Sequence, residues 1–426
     1  MLRKPIGTIT TLLLLLGSAS VMAARTTITY IGGPHGEQMT NALSHFAQEF
    51  EATSNIHVDI QTVPSAGYLD RVTTMVLAGT APDVTHLIGM ETAAFAQRGW
   101  LENLKPYLDR ERLDINSLLI PPVGEAIAWD GGVYVMPLAA QTREIYFNVD
   151  LFAERGVENP LALQRQGRWT WETMLNAAKR LTVYGDGRTV KQAGIWTSAT
   201  YQNWYIYVWQ AGGALFDRDV SPRRATIDTE QARQGLEFFS SLWNEHKVVP
   251  SYGERSGHGF TLGKAAMSVV DGPFYIATLR ASNPSFEWDI ASVPTGPANN
   301  LREVGFNNLQ ILKDSKHKAE AWEFVRYVAL SPDRIRLLSA ATGRPPALRR
   351  AIPYYIESVG PKPSNARQFV DGIVNARQTL VSEHLNAIYG VINPILRQVV
   401  DGNRAIPGAL VEMEQRINAL LQSSVQ

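Results

Sequence analysis

The 426-residue sequence contains no cysteine. Disulfides, thiolate metal sites and a cysteine nucleophile are therefore excluded, and so is a lipid attached to an N-terminal cysteine. It also lacks an excess of either charge, since 40 lysines and arginines face 40 aspartates and glutamates. A balance of that kind favours neither nucleic acid nor an anionic membrane as partner. The longest apolar run, Ile6 to Leu16, falls short of the roughly 20 residues that a membrane span needs. Cofactor and catalytic signatures are missing as well. The stretch Gly32 to Glu37 reads GGPHGE and lacks the G-x-G-x-x-G spacing. Gly263-Lys264 is followed by Ala265 where a phosphate loop has Ser or Thr, and His258 stands where its first glycine belongs. Ser/His/Asp, H-E-x-x-H and EF-hand patterns are not found, so no cofactor, no metal and no catalytic group are expected.

What remains is ordinary in bulk and informative in detail. The length provides for two domains, and a hydrophobic fraction of 45% with ordinary aromatic content speaks for a folded chain. Arg3 and Lys4, the apolar run after them and the small-residue signal Val21-Met22-Ala23 read as a secretory signal over residues 1–23, cleaved after Ala23. An exported protein without a lipid anchor is expected in the periplasm.

The chain is organised around Gly131 to Phe152, GGVYVMPLAAQTREIYFNVDLF. Val133 to Met136 reads as a strand, and Pro137, which cannot donate to a ladder, is expected to end it. Ile145-Tyr146-Phe147 reads as a second strand. With no helix between them, Leu138 to Arg143 is a candidate hinge between two sheets. This segment resembles the interlobe crossover of the extracellular solute-binding proteins of ABC importers, in the carbohydrate-binding branch with the maltose-binding and glycerol-phosphate-binding proteins. Further blocks carry the same resemblance. They are Gly79-Thr80-Ala81-Pro82-Asp83-Val84, the helix opened by Thr170-Trp171, Gly263 to Phe274 (GKAAMSVVDGPF), and Gly343-Arg344-Pro345-Pro346.

The resemblance implies an α/β, two-lobed periplasmic binding protein fold with discontinuous lobes and an interlobe hinge. Lobe 1 is expected over 24–138 and 295–342, and lobe 2 over 139–294 and 343–426 with the C-terminal helices. It also implies a ligand-capturing, non-catalytic monomer that delivers its solute to the permease subunits of an ABC transporter. Candidate ligand residues follow by position. His35 lies in the first glycine loop, Tyr68 and Glu91 open helices after strands, and Gln141 is the polar residue of the crossover. Asp271, Gly272 and Phe274 form the loop after the G-K-A-A-M strand, with Asn307 in the following ligand-facing run, Arg344 in the G-R-P-P turn and Tyr389 from the C-terminal helices.

Composition adds three more candidates. A sugar ring has apolar C–H faces and a rim of hydroxyls, so its site combines aromatic platforms with forked polar side chains. The stretch Tyr201 to Trp209 (YQNWYIYVW) supplies both, and Gln202, Asn203 and Trp204 are its site candidates, although the helical spacing of Trp204, Tyr207 and Val208 assigns part of the stripe to a core. The solute expected is a carbohydrate or related polyhydroxylated molecule. The alternatives are an anionic sugar derivative (phosphate or sulfonate) or polyol, an exported glycoside-active enzyme using Glu91 and Asp271, and a surface adhesion or signalling protein on the same fold.

Overall fold

The computed structural model describes residues 25–423 except 34–36, 65–66, 121–122, 125–126, 130, 256 and 383. The signal segment 1–23 and His35 lie outside the described residues. Among the described residues, no helix is long and apolar enough to cross a membrane.

Thirteen strands are described: β1 (Thr26–Gly32), β2 (Ile56–Thr62), β3 (Val84–Ile88), β4 (Ala128–Trp129), β5 (Gly132–Val133), β6 (Met136–Thr142), β7 (Glu144–Asn148), β8 (Val183–Tyr184), β9 (Val190–Trp196), β10 (Ala265–Asp271), β11 (Trp288–Ala291), β12 (Arg302–Ile311) and β13 (Ala376–Gln378). The first sheet runs β13-β12-β3-β1-β2, with β6 also paired to β12, and the second runs β11-β7-β10-β9-β8. Strand β1 pairs in parallel with both β2 and β3, which requires crossover helices. One of these is Glu37–Thr53, whose Met39, Leu43, Phe46, Ala47 and Phe50 are buried at helical spacing, as the sequence pattern predicts.

Each sheet has its own core. Trp322, Phe324 and Val325 of helix Lys318–Ala329 pack on the first sheet with Phe306 and Leu309 of β12. The second sheet is covered by the aromatic helix Tyr201–Gln210, helix Glu230–Asn244 and the C-terminal helices Leu385–Val400 and Ile406–Ser423. Thr170 caps helix Trp171–Leu181 through a reciprocal bond with Thr173, and Trp171 stacks on Phe238 at 4.5 Å. Leu410, Met413, Ile417 and Leu421 are buried on one side of the last helix.

The crossover differs from the sequence expectation, beginning with the strand expected over Val133 to Met136: Val133 ends β5, Met136 begins β6, and the two residues between them lie in neither. Pro137 does not end a strand; it lies inside β6, opposite Asn308, where the register with β12 shifts between Asn307 and Asn308. A bulge is a place where a missing N–H does not interrupt the ladder. Leu138 to Thr142 therefore continue β6 in the first sheet, and Arg143 alone separates it from β7 in the second.

Candidate functional site

The site is built where the chain passes between the sheets. Strand β6 leaves the first sheet at Thr142, and β11 in the second is followed by β12 in the first. Extending the antiparallel register past Thr142 and Val304 sets Arg143-Glu144 against Arg302-Glu303. Each arginine thereby meets the other strand's glutamate.

The two pairs have different surroundings. Glu144 and Arg302 are buried, with side-chain exposures of 0% and 3%. Arg302 Nη1 donates to both Glu144 oxygens, at 2.9 and 3.0 Å. The Thr142 hydroxyl donates to the same carboxylate at 3.0 Å and the Val293 amide at 3.2 Å, while Arg302 Nη2 donates to Ser292 Oγ at 2.9 Å. Burial pushes the Glu144 carboxyl up, and Arg302 with these donors pulls against it. Gly372 closes over the pair, since a Cβ there would strike Glu144 Oε1.

Arg143 is bonded to Glu303 and also feels Asp271 and Tyr389. Burial would lower its guanidinium, yet these partners hold it above its usual value. Asp271 ends β10, and its Oδ2 accepts from the Ser268 hydroxyl and lies 3.9 Å from His258 Nε2. Burial raises the Asp271 carboxyl, against the pull of Ser268, His258 and Arg143. The next residue, Gly272, has its carbonyl held by the Tyr146 hydroxyl at 2.8 Å, and Phe274 presents a ring that is 38% exposed.

Arg344 joins from a third direction. Gly343 takes φ 71, and an added Cβ would lie 3.0 Å from the Pro273 carbonyl, so the turn rests on the loop of Gly272 and Phe274. Pro345 then accepts from the Ala140 amide of β6 at 3.1 Å. Burial lowers the Arg344 guanidinium to about 10. On β6 itself Gln141 faces Gly305, and its Oε1 is buried without a hydrogen-bond partner, as is Oδ1 of Asn307 on β12. A buried acceptor left open is uncommon in a native protein and is available to a donor from water or solute. Tyr389 packs on Tyr201 at 5.2 Å and is bonded to Gln202; burial raises its hydroxyl, with Glu303 adding to the rise.

Gln141, Gln202, Asp271, Gly272, Phe274, Asn307, Arg344 and Tyr389 thus gather around the crossover. Two other candidates are corrected to core residues. Trp204 is 0% exposed inside the second sheet's core, among the aromatic and aliphatic side chains that enclose most of its helix. Tyr68 is 2% exposed, and its hydroxyl is used up by the Ile31 carbonyl, the Thr85 hydroxyl and the His86 carbonyl at 3.2, 2.7 and 3.0 Å. Burial pushes that hydroxyl up to about 12. Asn203 donates its amide to the Ser198 carbonyl at 3.1 Å and is 9% exposed. Glu91 is half-buried on helix Gly89–Gln97, near enough to Tyr68 to add to that rise. Arg143, Glu303 and His258 were not among the sequence candidates.

Comparison with known proteins identifies the family and the fold. The family model described as bacterial extracellular solute-binding protein matches residues 36–333. The chain belongs to that family. A binding protein of Brucella abortus is 26% identical over 309 residues, covering 70% of this chain and 68% of the relative. The diacetylchitobiose binding protein of Streptomyces coelicolor is 24% identical over 308 residues, with the same coverage of 70% and 68%. Among solved structures, an ABC substrate-binding protein of Listeria monocytogenes in complex with cycloalternan superposes with a TM-score of 0.81 at 24% identity, covering 93% of this chain and 99% of that one. The sugar-binding protein MalE of Xanthomonas citri gives 0.78 at 20% identity, covering 94% and 98%. These structural likenesses establish the two-lobed α/β fold, and this solute-binding protein carries its crossover cluster on it.

Proposed function

We propose that this solute-binding protein captures a carbohydrate in the periplasm between a lobe built on each sheet, and passes it to the permease subunits of an ABC importer. One observation carries the proposal. The open acceptors of Gln141 and Asn307 belong to the first sheet beside the crossover, while the Asp271 carboxylate, whose charge Arg143 of the crossover feels, and the exposed Phe274 ring belong to the second. Hydroxyl donors satisfy the acceptors, and an apolar sugar face stacks on the ring. Because the contacts come from both sheets, closure of the lobes raises affinity, and a transporter can read the closed form.

The sugars named for relatives support the same class: diacetylchitobiose in Streptomyces coelicolor, maltotriose in Pyrococcus abyssi, and galactooligosaccharide in Bacillus subtilis. Arg344 motivates a second reading, a sugar phosphate or sulfonate, since a guanidinium fork suits an anionic group.

Ligand-stripped residues 24–426 should be melted with maltotriose, diacetylchitobiose, galactooligosaccharide, erythritol and a sugar phosphate. A ligand at 100 times its dissociation constant should add about 2.7 kcal/mol of stability. Stabilisation by a neutral sugar without turnover supports the proposal; a response confined to the phosphate moves the function to the second reading, and turnover overturns both.

A further inference from the structure

We propose that His258 is a positioning residue for the Asp271 carboxylate, turning it toward a solute hydroxyl and making solute affinity fall as the medium becomes acidic. This rests on Asp271 contacting the solute. His258 Nδ1 lies 2.7 Å from the Tyr275 hydroxyl, which also meets the Thr261 hydroxyl. We assign Thr261 as donor to the Tyr275 oxygen and the Tyr275 O–H as donor to Nδ1, an order that puts the proton of a neutral imidazole on Nε2, the nitrogen that faces Asp271 Oδ2 at 3.9 Å. The ring is held between Trp196 and Tyr275, at centroid distances of 5.6 and 4.7 Å. Ser268 reaches the same Oδ2. The one hydrogen bond to the Asp271 carboxylate among the described residues and the facing imidazole both lie at Oδ2, which leaves Oδ1 for the solute.

The charges around the pair set its response to acid. Arg255, held over the Trp196 ring at 4.7 Å, faces His258; Arg143 faces Asp271, and the phenols of Tyr146 and Tyr275 lie beside it. Burial lowers His258, with Asp271 pulling it up and Arg255 pushing it down, while burial raises Asp271. Acidification adds a proton to this pair. Whichever residue holds that proton, it sits on or against the carboxylate and weakens it as an acceptor for a hydroxyl.

Long-range nitrogen–proton NMR correlations of the ligand-free protein, with His258 assigned through His258→Gln, should show a neutral imidazole protonated on Nε2, and Tyr275→Phe should release that preference. The sugar giving the largest stabilisation among those above is then titrated calorimetrically between about pH 8 and pH 5. Wild-type affinity should fall several-fold across the range. Asp271→Asn should lose about tenfold at the alkaline end and respond little to acid. His258→Gln and Tyr275→Phe should each flatten or displace the wild-type profile. If Asp271→Asn binds as wild type does, or no sugar binds, the site reading fails. If Asp271→Asn binds weakly but both relay variants keep the wild-type profile, or His258 is protonated on Nδ1, the role of His258 is overturned while the site reading stands.

Discussion

Replacing Arg302 by methionine is the sharpest test of the crossover. The change removes two hydrogen bonds and the opposite charge from Glu144, a carboxylate with no exposed side-chain surface, and leaves it only the Thr142 hydroxyl and the Val293 amide. Breaking a buried pair by deleting one partner costs about 3–5 kcal/mol. The cost should depend on pH in a defined direction. Burial already raises the Glu144 carboxyl, and losing Arg302 raises it further. The folded state then binds more protons than the unfolded state between the unfolded carboxyl's value and the folded one, so stability falls as pH rises through that window. Urea unfolding followed by tryptophan fluorescence should therefore find Arg302→Met strongly destabilised near neutrality and less so as acid protonates Glu144, each proton linkage being worth about 1.4 kcal/mol per pH unit. The double variant Glu144→Leu/Arg302→Met, which leaves no orphan charge, should recover most of the loss. A neutral-pH cost below about 1 kcal/mol, unchanged in acid, would refute the buried-pair reasoning.

Gly372→Ala should destabilise by about 1–3 kcal/mol in the same assay, because its Cβ enters the space of Glu144, with Arg302 and Thr142 at 3.0 Å. Asn307→Leu should leave the ligand-free protein as stable as wild type, since it deletes an acceptor that has no partner, while calorimetry shows about tenfold weaker sugar binding. Tyr68→Phe should behave in the opposite way, losing about 1–3 kcal/mol in thermal unfolding and binding sugar as wild type does. Trp204→Ala should cost about 3–5 kcal/mol of stability, and Trp204→Phe should bind sugar with wild-type affinity, as expected of a core residue.

How much of this was legible beforehand depends on the kind of signal. The helix over Glu37–Thr53 and the cap at Thr170 rest on periodicity and local hydrogen bonding, and both signals lie within a few residues of the feature they specify. The crossover was legible as a change of sheet, but Pro137 misled its boundary because the bulge that admits it, with Leu138 as the extra residue, arises only when β6 pairs with β12, more than 160 residues away. The gathering of Gln141, Asp271, Phe274 and Arg344 follows from motif positions. Trp204 and Tyr68 carry the same residue types as a sugar site, and only the packing around them decides that they are interior. Arg143 and Glu303 left one readable trace: the dipeptide Arg-Glu occurs at 143–144 and again at 302–303. Antiparallel pairing of two such dipeptides is complementary at both positions, while parallel pairing would set like charges together.

That complementarity has a mechanical consequence. A third arginine pair, Arg377 of β13 with Asp219, lies on the same corner of the first sheet, since β13 pairs with β12 at Glu303. Its guanidinium also covers Trp209 of the aromatic helix on the second sheet at 5.0 Å. The chain between the sheets is thus fixed by ion pairs with defined geometry, whereas the apolar cores stay with their own sheets. An apolar joint would bind the lobes through area, and any rotation would expose it to water at about 25 cal/mol per Å². Hydrogen-bonded ion pairs, of which Glu144–Arg302 is buried, instead fix one point between the sheets without joining the two cores by area. A polar joint of this kind suits a two-lobed fold, because it ties the lobes at Arg143 without an apolar area that rotation would expose to water.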